Sequence, residues 1–209
     1  MRHNRVLLKR LAQDGRGRFR EVIGLTGTHR GVGVTYTGLM LAFYYGEDLG
    51  RKTAFLECNQ HHDMSLIQKA YEWYSEGDTG FSFHRITCFK EANSDCITQI
   101  LGEDYERIIL DFGTDLLANK EEWLRCTTKI VVCGQSEWDI LKLKEFVMKT
   151  QLIHGSEDWN YFLPCGRAQT IETLKREIKR KIWAVPEIKE PTRPDQNVKI
   201  FLRQSLLSR

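Results

Sequence analysis

The run Gly27-Thr28-His29-Arg30-Gly31-Val32-Gly33-Val34-Thr35 joins an apolar stretch, "EVIGLTG", to a helical one, "TYTGLMLAFYYGEDLG". Strand, glycine-rich turn and helix together make a phosphate-binding loop. The glycines let backbone N–H groups turn inward around anionic oxygens, and the helix adds the positive end of its dipole. The strict pattern, G-x-x-x-x-G-K-[ST], also carries a lysine for the outer phosphates and a hydroxyl for magnesium. Here Gly33 and Thr35 match, but Thr28 stands at the first glycine and Val34 at the lysine. Losing the lysine removes a charge-assisted contact of about 1.5–3 kcal/mol. It also removes charge stabilisation from phosphoryl transfer, which is largely electrostatic. Arg30 is always charged and is the candidate replacement, folded onto a phosphate or reaching across a dimer. With Tyr36 at the helix start, residues 27–36 form the candidate phosphate site.

Three further groups belong near such a loop. "YERIILDFG" is an apolar strand that leaves Asp111 at its C-terminal end, and Thr35 with Asp111 forms the candidate magnesium pair. "KTAFLEC" is a strand that carries Glu57 near its end, with Asn59 just beyond it. His29, if protonated, adds positive charge near a phosphate; otherwise it is a surface histidine. His61, His62 and Asp63 lie together, but no third partner at helical spacing follows, so a solvated loop facing the pocket is expected rather than a metal site.

These residues need a scaffold, and the chain alternates strand-like and helical segments from Glu21 onward. "FSFHRITCF", "TKIVVCG" and "WNYFLPC" read as further strands. "DMSLIQKAYEWYSEG", "SDCITQILGED", "KEEWLRC", "SEWDILKLKEFVMKTQLI" and the basic "TIETLKREIKRKIW" read as helices, with Asp63 and Ser136 as N-caps. Several strands lack full alternation, as strands buried on both faces do. The expected fold class is α/β, a three-layer α/β/α sandwich with a mainly parallel sheet of six or seven strands. The ligand site belongs at the C-terminal strand ends, near Asp111. The aromatics Phe43, Tyr44, Tyr45, Tyr71, Trp73 and Tyr74 are read as packing, except that adjacent Tyr44 and Tyr45 cannot share one helix face, which leaves one for a partner surface.

A chain of 209 residues, 41% hydrophobic and 28% charged, supports one domain with a sizeable core. No apolar run approaches the roughly 20 residues needed to span a bilayer, and the N-terminus does not read as a secretory signal. The expected location is the cytoplasm. The six cysteines form no C-x-x-C pair and read as reduced thiols. Net charge is +3 but uneven: residues 1–20 carry seven Lys/Arg and one acid, residues 172–209 ten and five, and residues 21–171 fourteen and twenty-two. Basic ends on an acidic body suit lipid headgroups, nucleic acid or an acidic protein. The division expected is a basic arm (1–20), the α/β domain (21–190) and a tail (191–209). In the tail, Val198, Phe201, Leu202, Ser205 and Leu206 form one stripe, which either docks on its own domain or touches a membrane.

The segments resemble the MinD/ParA group of P-loop NTPases, whose deviant loop reads K-G-G-x-G-K-[ST]. His29 stands at the first lysine, Arg30 at a glycine, Gly31-Val32-Gly33 match, Val34 replaces the second lysine and Thr35 matches the magnesium hydroxyl. "GRKTAFLECNQHHDMSL" resembles the family's second strand, with Glu57 and Asn59 at its aspartates, which implies a switch region there, and "YERIILDFGTD" resembles its Walker B strand. "TKIVVCGQSEWDILKLKEF" resembles a later strand–helix pair, so the likeness runs over about residues 21–190. It implies a P-loop NTPase fold, ATP or ADP with Mg2+ as ligand, a possible homodimer in which the first lysine crosses to the partner's nucleotide, and protein partners in positioning or assembling a bacterial pilus, secretion or division machinery. With both lysines absent, the implied protein is a degenerate member with weak or no hydrolysis. Two alternatives stand beside it: an active Mg-dependent ATPase using Arg30, and a membrane or protein adaptor with a relic pocket. Nucleic acid is the lesser choice of partner.

Overall fold

In the computed structural model, the residues described are 20–70, 79–83 and 85–207. An eight-stranded sheet runs in the order β3-β4-β2-β5-β1-β6-β7-β8. Its strands are β1 (Glu21–Gly27), β2 (Thr53–Glu57), β3 (Gly80–Phe83), β4 (Ile86–Phe89), β5 (Arg107–Asp111), β6 (Thr128–Val132), β7 (Asn160–Pro164) and β8 (Lys181–Val185). All neighbours pair in parallel except β3, which is antiparallel to β4 at the edge.

Each face of the sheet is covered by helices. On one face, Ile23, Leu25, Phe55, Ile109, Ile130 and Phe162 pack under α1 (Val34–Phe43), α2 (Asp63–Ala70) and α7 (Gln196–Leu207). On the other, Val22, Leu56, Ile108, Leu110, Val131 and Tyr161 pack under α3 (Ser94–Gly102), α4 (Lys120–Arg125), α5 (Glu137–Thr150) and α6 (Ala168–Ile178). The central strands β1 and β2 are buried along their whole length. This is why they lack alternation and why the α/β/α expectation holds.

Four expectations need correction. "FSFHRITCF" is not one strand but the hairpin β3–β4, and "KIW", read as the end of a basic helix, begins β8. Helix α6 stops because Lys179 adopts a left-handed conformation (φ 50°) as its C-cap. The sheet therefore has eight strands rather than six or seven. Tyr44 and Tyr45 are both buried. α1 runs on into a π turn, Tyr44–Asp48, in which the Leu49 N–H donates to the Tyr44 carbonyl at 3.1 Å. The wider turn brings both rings inward.

The Asp63 cap is the fourth. The first N–H groups of α2, those of Asp63 and Met64, donate to Glu57 Oε1 at 2.6 and 3.3 Å, so a strand residue caps the helix. Ser136, in contrast, caps α5 as expected, in a reciprocal box with Asp139. The α7 stripe docks on its own domain: Val198, Phe201, Leu202, Ser205 and Leu206 are buried, and Phe201 meets Phe162 edge-on at 5.1 Å. The stripe is thus covered by the domain, while Ile200 on the same helix is exposed. The readings of Tyr71, Trp73 and Tyr74, and of the arm up to residue 19, lie outside the described residues. Arg20 anchors the start of the domain by donating to the carbonyls of Leu101, Glu103 and Tyr105.

Candidate functional site

The site forms where β1, β2 and β5 end. The chain leaves β1 at Gly27, turns through Gly31 (φ 86°) and Gly33 (φ 90°), and enters α1. Gly33 is the N-cap in a left-handed conformation, which costs a glycine little. No side chain caps α1 and no acid sits in its first turn, so the first N–H groups of α1 remain for an anion. At Gly27, an added Cβ would lie 2.7 Å from a Val32 methyl and 2.8 Å from a Val34 methyl. Val34, at the lysine position, is thus packed against the end of β1, 7% exposed.

A set of oxygens lies below the loop. Thr35 Oγ1 donates to Asp111 Oδ2 at 2.6 Å and lies 3.3 Å from Asp63 Oδ2. The other oxygen of Asp111 accepts from the Gly113 N–H at 2.9 Å. Glu57 pairs with Asp111 in the β2–β5 register. Glu57 Oε2 is buried with no hydrogen-bond partner among the described residues. Burial pushes the pKa of both carboxyls up, against the lowering effect of their hydrogen bonds. Asn59 braces the turn, donating to the Asp111 carbonyl at 3.1 Å and accepting from the His61 N–H at 3.0 Å. Hard oxygen donors converging on one hydroxyl suit a magnesium ion, and the uncapped loop suits phosphate.

His29 is not a plain surface residue. Its Nδ1 lies 3.0 Å from Thr28 Oγ1 and its Nε2 2.9 Å from Asp139 Oδ1 on α5. Burial holds its pKa below the usual value, as does the Lys142 charge, against the Asp139 carboxylate. A neutral ring with the proton on Nε2 satisfies both contacts, with Thr28 donating to Nδ1.

A cleft of about 550 Å³ opens over these groups. Arg30, exposed, and Thr35, Tyr36, His61 and Thr114 line it, with Leu39, Phe43 and Ile67 giving an apolar floor. Pro191 and Thr192 close one side, held by the Tyr36 hydroxyl donating to the Ile188 carbonyl at 3.0 Å. No lysine lines the cleft among the described residues. Asp63, expected in a solvated loop facing the pocket, stands beside Thr35, while Asp139 and the 186–192 segment carry no site signal in the sequence. "SEWD" signals a helix start but not that its aspartate reaches the loop. His62 faces away to Glu91 at 2.8 Å, and no group of three or more His, Cys, Asp or Glu side chains placed to hold a metal ion appears among the described residues.

No protein-family model matches the sequence, and no curated protein matches it. Solved structures do match in fold. MinD in the MinC:MinD cell division complex of Aquifex aeolicus superposes with a TM-score of 0.66 at 12% identity, covering 90% of this chain and 96% of that one. A ParA family ATPase from Chlorobium tepidum gives 0.64 at 14%, covering 90% and 98%. The septum site-determining protein MinD of Pyrococcus horikoshii, complexed with Mg-ADP, gives 0.61 at 15%, covering 89% and 94%. The chain has the fold of the MinD/ParA ATPases. In this chain β1, the glycine-rich turn and α1 meet Asp111 at the C-terminal end of β5. No helix among the described residues is long and apolar enough to cross a membrane.

Proposed function

We propose that this chain is a degenerate MinD/ParA-type P-loop protein with weak or no nucleotide hydrolysis. It acts through protein partners in positioning or assembling a bacterial machinery of the pilus, secretion or division type. The observation that carries the reading is Val34: its side chain is packed against Gly27 at the end of β1, and no lysine replaces it in the described lining of the cleft. The loop N–H groups of residues 29–34 would hold phosphate of ATP or ADP, and Thr35 and Asp111, with Asp63 beside them, would hold Mg2+. The ion would supply charge neutralisation there. Glu57 and Asn59, joined to Asp111 and to the start of α2, are the proposed switch residues. The Aquifex neighbour is a complex with MinC, which supports a partner-based role.

A second reading, an active Mg-dependent ATPase, is supported by Arg30, whose guanidinium stands exposed at the cleft. The deciding measurement is thermal unfolding with ATP, ADP and GTP, with and without magnesium, alongside phosphate release. Ligand at a hundredfold excess over its dissociation constant stabilises the native state by about 2.7 kcal/mol. A magnesium-dependent shift with no turnover supports the degenerate protein. Turnover abolished by Arg30→Ala supports the ATPase. No shift at millimolar nucleotide supports an adaptor with a relic pocket.

A further inference from the structure

Helix α5 buries one face, with Leu143 and Thr150 in the core and Ile140, Phe146 and Val147 packed against it. Its opposite face is apolar too. Trp138 (66% exposed), Leu141 (61%), Met148 (61%) and Leu152 (94%), just past the helix end, stand in solvent. With Glu145 they fall at spacings of three, four, three and four residues, the a and d positions of a heptad repeat. Lys142, which also pairs with Asp139 at 3.3 Å, and Lys149 then occupy the e positions on one flank. On the other flank Lys144 is neutralised by Glu177 at 2.7 Å.

We infer that the outer face of α5 is a docking surface for one amphipathic helix of a protein partner, paired as a short coiled coil. The partner helix carries an apolar seam, acidic residues flanking it opposite Lys142 and Lys149, and a single basic residue in the seam opposite Glu145. One charged seam position of this kind fixes register. A second copy of this chain fits poorly: antiparallel pairing lines Lys142 and Lys149 against the same lysines, and parallel pairing sets Glu145 against Glu145. A bilayer fits poorly as well, because the stripe is a narrow seam with a carboxylate at its centre, and membrane-surface helices present a broad uncharged face. The seam begins at Trp138, next to the Asp139 that holds His29, so a helix seated there lies against the turn that meets the loop.

The inference rests on the reading that the chain acts through protein partners. Its test uses the full chain and a fluorescein-labelled peptide of about four heptads, with leucine at a and d, glutamate at e and g, and one central seam lysine. Fluorescence anisotropy is expected to show saturable binding. Leu141→Glu or Met148→Glu, at exposed sites that leave folding intact, weakens it at least about tenfold, and Lys149→Glu weakens it severalfold. No binding, or binding indifferent to both seam substitutions, overturns the inference. So does equal binding of a lysine-flanked peptide, a chain that sediments as a dimer dissociated by Leu141→Glu, or co-sedimentation with anionic vesicles lost on Leu141→Glu. Rapid nucleotide turnover would end the reading above and leave peptide binding intact; absence of peptide binding would end this inference and leave the nucleotide measurements intact.

Discussion

A methyl of Val34 lies 2.8 Å from the point where a Cβ on Gly27 would stand, so the residue at the lysine position packs against the end of β1 while also lining the cleft. The absent lysine is therefore a packing feature as well as a missing charge.

Val34→Lys tests both aspects. Restoring the charge is expected to tighten Mg-ATP binding by about tenfold to a hundredfold, read by titration calorimetry. Because Val34 is 7% exposed, the same change is expected to lower unfolding stability by about 1–3 kcal/mol in urea. Unchanged affinity would mean that the loop, and not the lysine, limits binding.

Glu57 gives a pH signature. Burial raises its pKa in the folded chain, so the native state binds more protons than the unfolded state above the ordinary carboxylate range. Stability then falls as pH rises from about 4 through the folded value. Glu57→Gln keeps an oxygen for the Asp63 and Met64 N–H groups and drops the charge. It is expected to raise the unfolding midpoint at pH 7, with the gain shrinking toward pH 4. A gain that stays constant with pH would count against a buried charge at this position.

The core beneath α4 is expected to be sensitive to truncation. Trp123 is fully buried, edge-on to Trp159 at 5.0 Å and to Phe112 at 6.0 Å. Trp123→Ala is expected to cost about 3–5 kcal/mol in denaturant unfolding. Leu124→Ala, at a neighbouring exposed site, is expected to stay within about 0.5 kcal/mol.

Much of this architecture is legible in the sequence because local signals agree with the tertiary result. "EVIGLTG" is mostly apolar and is a central strand; Ser136 and Asp139 announce the start of α5 and form its capping box. The rest depends on distant partners. The carboxylate of Glu57 reads as a site residue, but its caps to Asp63 and Met64 exist only once α2 lies against the end of β2. Nothing local in "KRKIWAV" overrides the helical run before it; the left-handed Lys179 and pairing with β7 decide the strand. His29 reads as an isolated histidine because Asp139, its partner, is 110 residues away in sequence.

The π turn at Tyr44–Asp48 holds one residue more than an α-helical turn would. In a regular helix an added residue rotates everything beyond it by about 100°. Here the wider ring absorbs the surplus locally, about 15 Å along the helix from Val34. A residue added there would be taken up at the far end of α1, and the loop would keep its angle to the sheet. A helix with such an expansion joint can take up an added residue while its ligand end stands still.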